Sequence, residues 1–176
     1  MNIFYLDQKT DVCAMSHCDK HVVKMVLEYA QLLSTAHRII DGTQWTDKTA
    51  RGSKIKRWAL NDHRERILYK ATHRNHPSAV WARESRSNYL WLLDLFEHLL
   101  DEYTFRYNKK HKTSELLDTL KVPPKNLEDK GFTKVPQAMP DICKRIDSVE
   151  AYRYYYATEK RDLLSYTKRS IPEWLS

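Results

Sequence analysis

Glycine is scarce in this chain, three residues in 176, and the scarcity excludes a good deal. No Gly-rich loop can cradle a nucleotide phosphate, no GxSxG elbow raises a nucleophilic serine, and no HExxH helix grips zinc. Long apolar runs are missing too, so no membrane-spanning helix is expected. The N-terminus lacks a basic segment followed by an apolar stretch, which argues against a secretory leader and for a cytoplasmic location. Cysteine is limited to Cys13, Cys18 and Cys143, an odd number without metal-type pairing, and reads as reduced thiols rather than a disulfide framework. Alternation of β-branched residues is thin, and there is no internal repeat or low-complexity tract.

What is present favours helix. Leu, Lys, Glu, Arg and Ala are abundant, which predicts an all-α protein: a single compact helical domain over residues 1–176, with a core that needs no metal or disulfide staple. Lys and Arg outnumber Asp and Glu by 30 to 23, giving a net charge of +7. That balance favours a polyanionic partner. Eleven Tyr and five Trp sharpen the expectation, because rings interleaved with cations can stack on unpaired bases while the cations meet phosphates. The competing reading places those rings in the core.

The chain is organised around residues 16–38, SHCDKHVVKMVLEYAQLLSTAHR, which read as one central buried helix. His17, His21, Lys24, Glu28, Gln31 and Thr35 recur in steps of four and three and so share one line. Val22, Val23, Met25, Val26, Leu27, Ala30, Leu32, Leu33 and Ala36 wrap the rest, predicting burial on most sides. The polar seam is either the one solvated edge of a core helix or the lining of a cleft. Ser16 and Asp19 suggest a capping box at the start, and Asp41-Gly42 marks the end.

Before this helix, MNIFYL is an apolar arm expected to pack against it. An α-amine titrates near neutrality, at about 7.7–8.0 in unstructured peptides, and so can act as a nucleophile. That matters only if it sits beside Glu28. After the helix, residues 43–57 form a basic loop or insertion in which Lys48, Arg51, Lys54, Lys56 and Arg57 gather, either as a phosphate-facing surface or as a solvated charge run. A helix is expected over 61–72. Arg74-Asn75-His76-Pro77 makes an ordered turn, with Pro77 opening a long second helix over about 78–107. Arg83, Ser85 and Asn88 interrupt the apolar face of that helix, either as satisfied core polar groups or as a site lining. A weak helix near 114–120 leads into a Pro-containing surface connection over 121–147. A last helix, 147–166, carries Tyr152, Tyr154, Tyr155 and Tyr156 among Arg153, Lys160 and Arg161, the best stacking-plus-phosphate segment of the sequence.

The spacing allows limited chemistry. His17 and His21, at i and i+4, could clamp a metal, but Glu28 lies about 10 Å further along the axis and cannot complete the set, so no metal is expected. Acid–base or amine chemistry at Glu28, with Lys24 one turn before it, is the remaining enzymatic reading.

Several short motifs together resemble the pyrimidine-dimer DNA glycosylases, the endonuclease V family of phage repair enzymes. An apolar N-terminal arm leads to Asp-x-His followed seven residues later by Glu, here Asp19, His21 and Glu28. Arg74-Asn75-His76-Pro77 is similar to the turn of bacterial members, the run from Glu102 to Tyr107 resembles the family's acidic, aromatic and basic helix end, and the Tyr-rich segment with Arg153 resembles its tail. The resemblance implies a compact all-α fold, a DNA glycosylase with AP-lyase activity, and no cofactor. It implies an imine formed by the N-terminal amine at C1′ of a damaged or modified pyrimidine nucleotide, assisted by Glu28, with base flipping supplying selectivity. Asn2 is poorly suited to removal of the initiator Met, so the nucleophile would be Met1 itself. His21, Lys24, Gln31, Arg74, Asn75, His76 and Arg83 are the expected substrate-binding residues. Lys54, Lys56, Arg57, Tyr152, Arg153, Tyr156 and Lys160 are the expected DNA contacts. The partner would be double-stranded DNA, the protein a monomer, and the location the host cytoplasm if the chain is phage-encoded. The insertion at 43–57 and the longer C-terminal third depart from the family pattern. The opposing reading is a non-catalytic helical phage protein that uses the same seam to bind a nucleotide or nucleic acid.

Overall fold

In the computed structural model, which describes residues 1–175, the polypeptide opens with an extended arm and enters two helices, α1 (Thr10–Ser16) and α2 (Asp19–Asp41). The expected single helix over 16–38 is therefore broken at its start. Ser16 closes α1, Cys18 is the N-cap of α2 in extended conformation, and the Ser16–Asp19 capping box does not form. Asp19 is occupied elsewhere. Its carboxylate takes Arg106 at 2.9 Å and the backbone N–H of Thr167 at 2.9 Å, tying the C-terminal segment to the head of α2.

At the other end α2 stops where the sequence indicates. Gly42 follows it, and a Cβ there would meet the Arg38 carbonyl oxygen at 2.4 Å, so only glycine lets the chain turn so tightly. The turn feeds an antiparallel hairpin, β1 (Thr43–Lys48) and β2 (Lys54–Ala59), with Thr43 opposite Ala59 and Lys48 opposite Lys54. The expected basic loop is thus a two-stranded ribbon closed through Gly52, whose φ is +80°. The expected compact helical domain holds: the chain is predominantly helical, with this one hairpin added.

The expected helix at 61–72 shrinks to one turn, α3 (Arg64–Ile67), followed by extended chain. Arg38 explains why. Buried at 2 % exposure, its guanidinium donates to the carbonyls of Trp58, Glu65, Leu68 and Tyr69 and pairs with Glu65 at 2.6 Å. Carbonyls spoken for by a buried arginine hold this segment against α2, and fastening them outweighs local helix propensity.

The long second helix is also split. Pro77 stands at the start of α4 (Pro77–Ala82) as predicted, and Arg83 to Ser85 separate it from α5 (Arg86–Tyr107). The break engages the polar residues of that face. Asn88 Nδ2 donates to the Trp81 carbonyl at 3.0 Å, and Ser85 Oγ donates to Asp129 at 2.9 Å, so both are satisfied core groups. A short 3₁₀ turn runs into α6 (Leu117–Leu120), the irregular connection follows, and α7 (Ser148–Glu159) ends well before Tyr166.

The core lies where α2 packs on α5 and α4, with α1 also on α5. Tyr29, Tyr89, Phe96, Leu32, Leu33, Met25, Leu92 and Leu95 are among its fully buried side chains. All three cysteines are free and buried, and burial pushes the Cys13 thiol up to about 12. No helix among the described residues is long and apolar enough to cross a membrane.

Candidate active site

The arm decides the geometry. Ile3, Phe4, Tyr5 and Leu6 are buried, Phe4 against His21 of α2 and Tyr156 of α7 and Tyr5 against Trp91 of α5, and the polar groups around them fix the register. Phe4 N–H donates to Tyr29 Oη at 3.2 Å, Asn2 Nδ2 donates to the Ala138 carbonyl at 2.9 Å, and Arg153 Nε donates to the Leu6 carbonyl at 2.8 Å. This places the first residue over the seam. The Met1 amine lies 3.4 Å from Glu28 Oε2, and Lys24 Nζ lies 3.3 Å from Oε1, so each carboxylate oxygen faces one cation. Met1 is sheltered, with its side chain 4 % exposed, whereas Lys24 is 63 % exposed and marks the open side. Gln31 is half-buried one turn further along. Val23 and Leu27, expected inside, are instead exposed at 45 % and 38 % and give this open stripe an apolar flank.

The two histidines at the head of the seam are inside. His17 Nδ1–H donates to the Cys13 carbonyl at 2.7 Å, which leaves Nε2 to accept from Tyr29 Oη at 2.8 Å. With both nitrogens engaged, His17 has no lone pair free to join His21 on a metal as the chain is folded. Among the described residues no three His, Cys, Asp or Glu side chains converge in a metal-ligating group. His21 stacks on Phe4 at 4.2 Å between centroids and meets Tyr156 Oη through Nδ1 at 2.5 Å. Burial, and then the charges of His17, Lys160 and Lys24, lower its pKa to about 3, so the imidazole is neutral near pH 7.

The turn before α4 closes the site from the other side. Thr35, last in the seam, donates to the Thr72 carbonyl at 3.3 Å and accepts from Thr72 N–H at 3.1 Å. His73 adopts a left-handed φ of 46°, and His76 N–H closes the turn on the His73 carbonyl at 2.8 Å. A non-glycine residue held there stores local strain, which the Thr35 and Arg83 bonds maintain. His76 caps α4 by accepting from Ser78 N–H. Its pKa is lowered by partial burial first, then by the N-terminal amine and His73, with Glu28 opposing, so its ring lies within the field of the Met1–Glu28 pair.

Arg83 was expected on substrate. It donates instead to the carbonyls of Ala79 and Arg74, at 2.6 and 2.7 Å, and so positions the turn. Arg74 lies over Trp58 at 5.6 Å, and Asn75 is exposed. Between this turn and the hairpin is an open groove of about 640 Å³ lined by Lys54, Lys56, Trp58, Arg74, Asn75 and His76. A more enclosed cavity of about 390 Å³, between Asp62–Arg64 and Val122–Pro123, holds none of the expected residues.

The expected DNA contacts divide. Tyr152 and Tyr156 are fully buried and cannot stack on a base; they are core residues whose hydroxyls hold Asn2 and His21. Arg153 pairs with Asp7 at 2.9 Å and anchors the arm. Lys160 lies over half-buried Tyr155 at 4.8 Å, and exposed Tyr154 is covered by Arg145 at 4.0 Å, so both rings already have cations of this chain on their faces. Arg57 pairs with Asp47 at 3.4 Å on the hairpin face opposite Lys54 and Lys56. The run from Glu102 to Tyr107 is structural: Arg106 binds Glu102 at 2.6 Å in the interior, and Arg169 binds the same carboxylate at 2.8 Å.

Sequence reasoning missed Asn2, Trp58 and His73. The signal for Trp58 was available, since Ile55 and Trp58 sit in a Thr- and Lys-rich stretch around Gly52 that suits a hairpin. No protein-family model, curated protein or solved structure matches the chain, so the likeness to the pyrimidine-dimer glycosylases is carried by the short motifs alone.

Proposed function

We propose that this protein is a DNA glycosylase with AP-lyase activity, in which the Met1 amine is the nucleophile and Glu28 the acid–base partner. The observation that carries the reading is the 3.4 Å approach of the Met1 nitrogen to Glu28 Oε2, held by an arm pinned along its length. A nucleophile and its base within reach of each other, both on rigid supports, is the arrangement amine catalysis requires.

The chemistry follows from the pair. Transfer of the ammonium proton to Glu28 leaves a neutral amine, which attacks C1′ of the target nucleotide as the N-glycosidic bond breaks; the base departs with the bonding pair and takes up the proton that the newly bonded nitrogen sheds. The protonated Glu28 then gives its proton to the sugar ring oxygen, the ring opens, and the amine–C1′ bond becomes an imine. Glu28, again a carboxylate, takes a C2′ proton, and the electron pair expels the 3′ phosphate by β-elimination. Water hydrolyses the imine and frees Met1. Lys24 Nζ, 3.3 Å from Oε1, fixes the far side of the carboxylate, and neutral His76 supplies a hydrogen-bonding edge near the sugar.

Borohydride trapping on abasic-site and UV-irradiated duplexes, followed by mass spectrometry of the linked peptide, tests this. The expected result is a reduced adduct on the α-amine of Met1. Failure to trap on either DNA, with the chain shown to begin at an unblocked Met1, overturns it.

A further inference from the structure

The hairpin carries a charge arrangement that the fold does not need. Strand alternation puts Lys48, Lys54, Lys56 and Trp58 on one face, with Lys48 and Lys54 directly opposite each other. Like charges facing across a two-stranded ribbon destabilise it. The ribbon's one carboxylate, Asp47, is on the other face with Arg57, so it does not relieve them. Lysines on exposed strand edges do guard against aggregation, but that accounts for their presence and not for their collection on the face that walls the groove. The groove runs from Lys54 and Lys56 past Trp58 and Arg74 to His76, which lies within the field of the Met1–Glu28 pair. Lys54 and Lys56, two residues apart on a strand, are separated by about 7 Å, close to the spacing of successive phosphates along a nucleic-acid strand.

We propose that the lysine face of the hairpin and the turn at residues 73–76 form a track for a DNA strand, so that the substrate is a polynucleotide whose phosphates lie across Lys48, Lys54 and Lys56 while the reacting sugar sits at Met1. The placing of that sugar rests on the imine reading; the track does not. The substrate class that follows is polymeric DNA, and a free nucleoside or nucleotide, spanning none of the track, binds weakly.

The test is fluorescence anisotropy with a labelled duplex containing a tetrahydrofuran abasic analogue, which cannot open to an aldehyde and so reports binding without chemistry. Wild-type protein is compared with K48Q/K54Q/K56Q and with K109Q/K110Q/K112Q, which removes the same charge from an exposed segment after α5. The expected result is a salt dependence of log K shallower by about 2–3 in the hairpin variant and unchanged in the control, since each phosphate contact contributes about 0.9 to the slope. Equal losses in both variants, no change in the hairpin variant, or no binding by the wild type each overturns the track. Thermal unfolding of the hairpin variant no lower than that of the wild type excludes misfolding as the cause; if it is lower, K54Q and K56Q singly replace it, each with an expected change of about 1. The imine reading is tested apart, by borohydride trapping of wild-type protein with 2-deoxyribose 5-phosphate, a free aldehyde that needs no track.

Discussion

Tyr152 Oη donates to Asn2 Oδ1 at 2.6 Å, joining the second residue of the chain to a buried tyrosine 150 residues away. The same hydroxyl lies 2.7 Å from the Pro136 carbonyl, so both the arm and the irregular connection are fixed from one point. Asn2 is the residue next to the proposed nucleophile, and an amine is only as well placed as its neighbour. Tyr152→Phe keeps the ring in the core and removes the tether. Its expected cost is about 1–2 kcal/mol of stability, for the Pro136 carbonyl and the Ala138 N–H left without their partner. The rate of imine trapping should fall roughly 10- to 100-fold from loss of positioning. Single-turnover trapping beside urea unfolding separates the two effects, and an unchanged trapping rate in a destabilised variant would show that the tether serves the fold alone.

Glu28→Gln keeps the shape of the seam and removes its base. Strand cleavage should drop by about 10²–10⁴, the usual worth of a positioned general acid–base. Affinity for uncleavable DNA should change by less than a few fold. If the wild type cleaves and the variant cleaves equally well, Glu28 is not the acid–base group. If neither cleaves and both bind, the seam is a binding cleft.

Three buried histidines set the acid limit of the fold. His17 and His37 have pKa values lowered to about 4 and His21 to about 3, in each case chiefly by burial. The unfolded chain takes up these protons near pH 6.5, before the folded protein does, so stability is complete above that value and declines as pH falls toward 4. Each histidine adds up to about 1.4 kcal/mol per pH unit within that window. The lowered carboxylates Asp19 and Glu102, where salt-bridge and hydrogen-bond partners outweigh burial, lose their contribution only at lower pH. Urea midpoints at pH 7, 6 and 5 should therefore fall steeply, and His37→Gln should flatten the curve. A midpoint constant from pH 7 to 5 would contradict burial of the neutral rings.

The helical frame was legible because its signals are local. The 3.6-residue pattern of α2, Asp41-Gly42 at its end and Pro77 at the start of α4 each act within a turn or two, and each holds in the structure. The seam was legible for the same reason, as Lys24, Glu28 and Gln31 share an edge by periodicity alone. What lay beyond reach depends on distant partners. His17 looked like part of the seam until Tyr29 and the Cys13 carbonyl claimed its nitrogens. Tyr152 and Tyr156 looked like a stacking surface because nothing in VEAYRYYYATEKR reveals that Asn2 and His21 await their hydroxyls. The hairpin was a different failure. Its cations stand out in composition, but the period-2 placement of Lys54, Lys56 and Trp58 covers only three alternate positions and is a weak signal beside them.

Arg38 links this hairpin to the frame, and its removal makes the last prediction. The guanidinium holds the carbonyls of Trp58, Leu68, Tyr69 and Glu65, and among the described residues no other side chain donates to them. Glu65 is 46 % exposed, so its freed carboxylate would recover much of its hydration, and the cost of Arg38→Met falls mainly on the carbonyls. A loss of about 3 kcal/mol is expected, with hydrogen-exchange protection lost first over residues 54–69. Because the hairpin walls the groove while the arm and Glu28 do not depend on it, DNA affinity should fall while trapping of 2-deoxyribose 5-phosphate persists. Protection unchanged over residues 54–69 would mean that the hairpin is held by something other than Arg38. Equal loss of DNA binding and small-sugar trapping would mean that groove and amine are one cooperative unit.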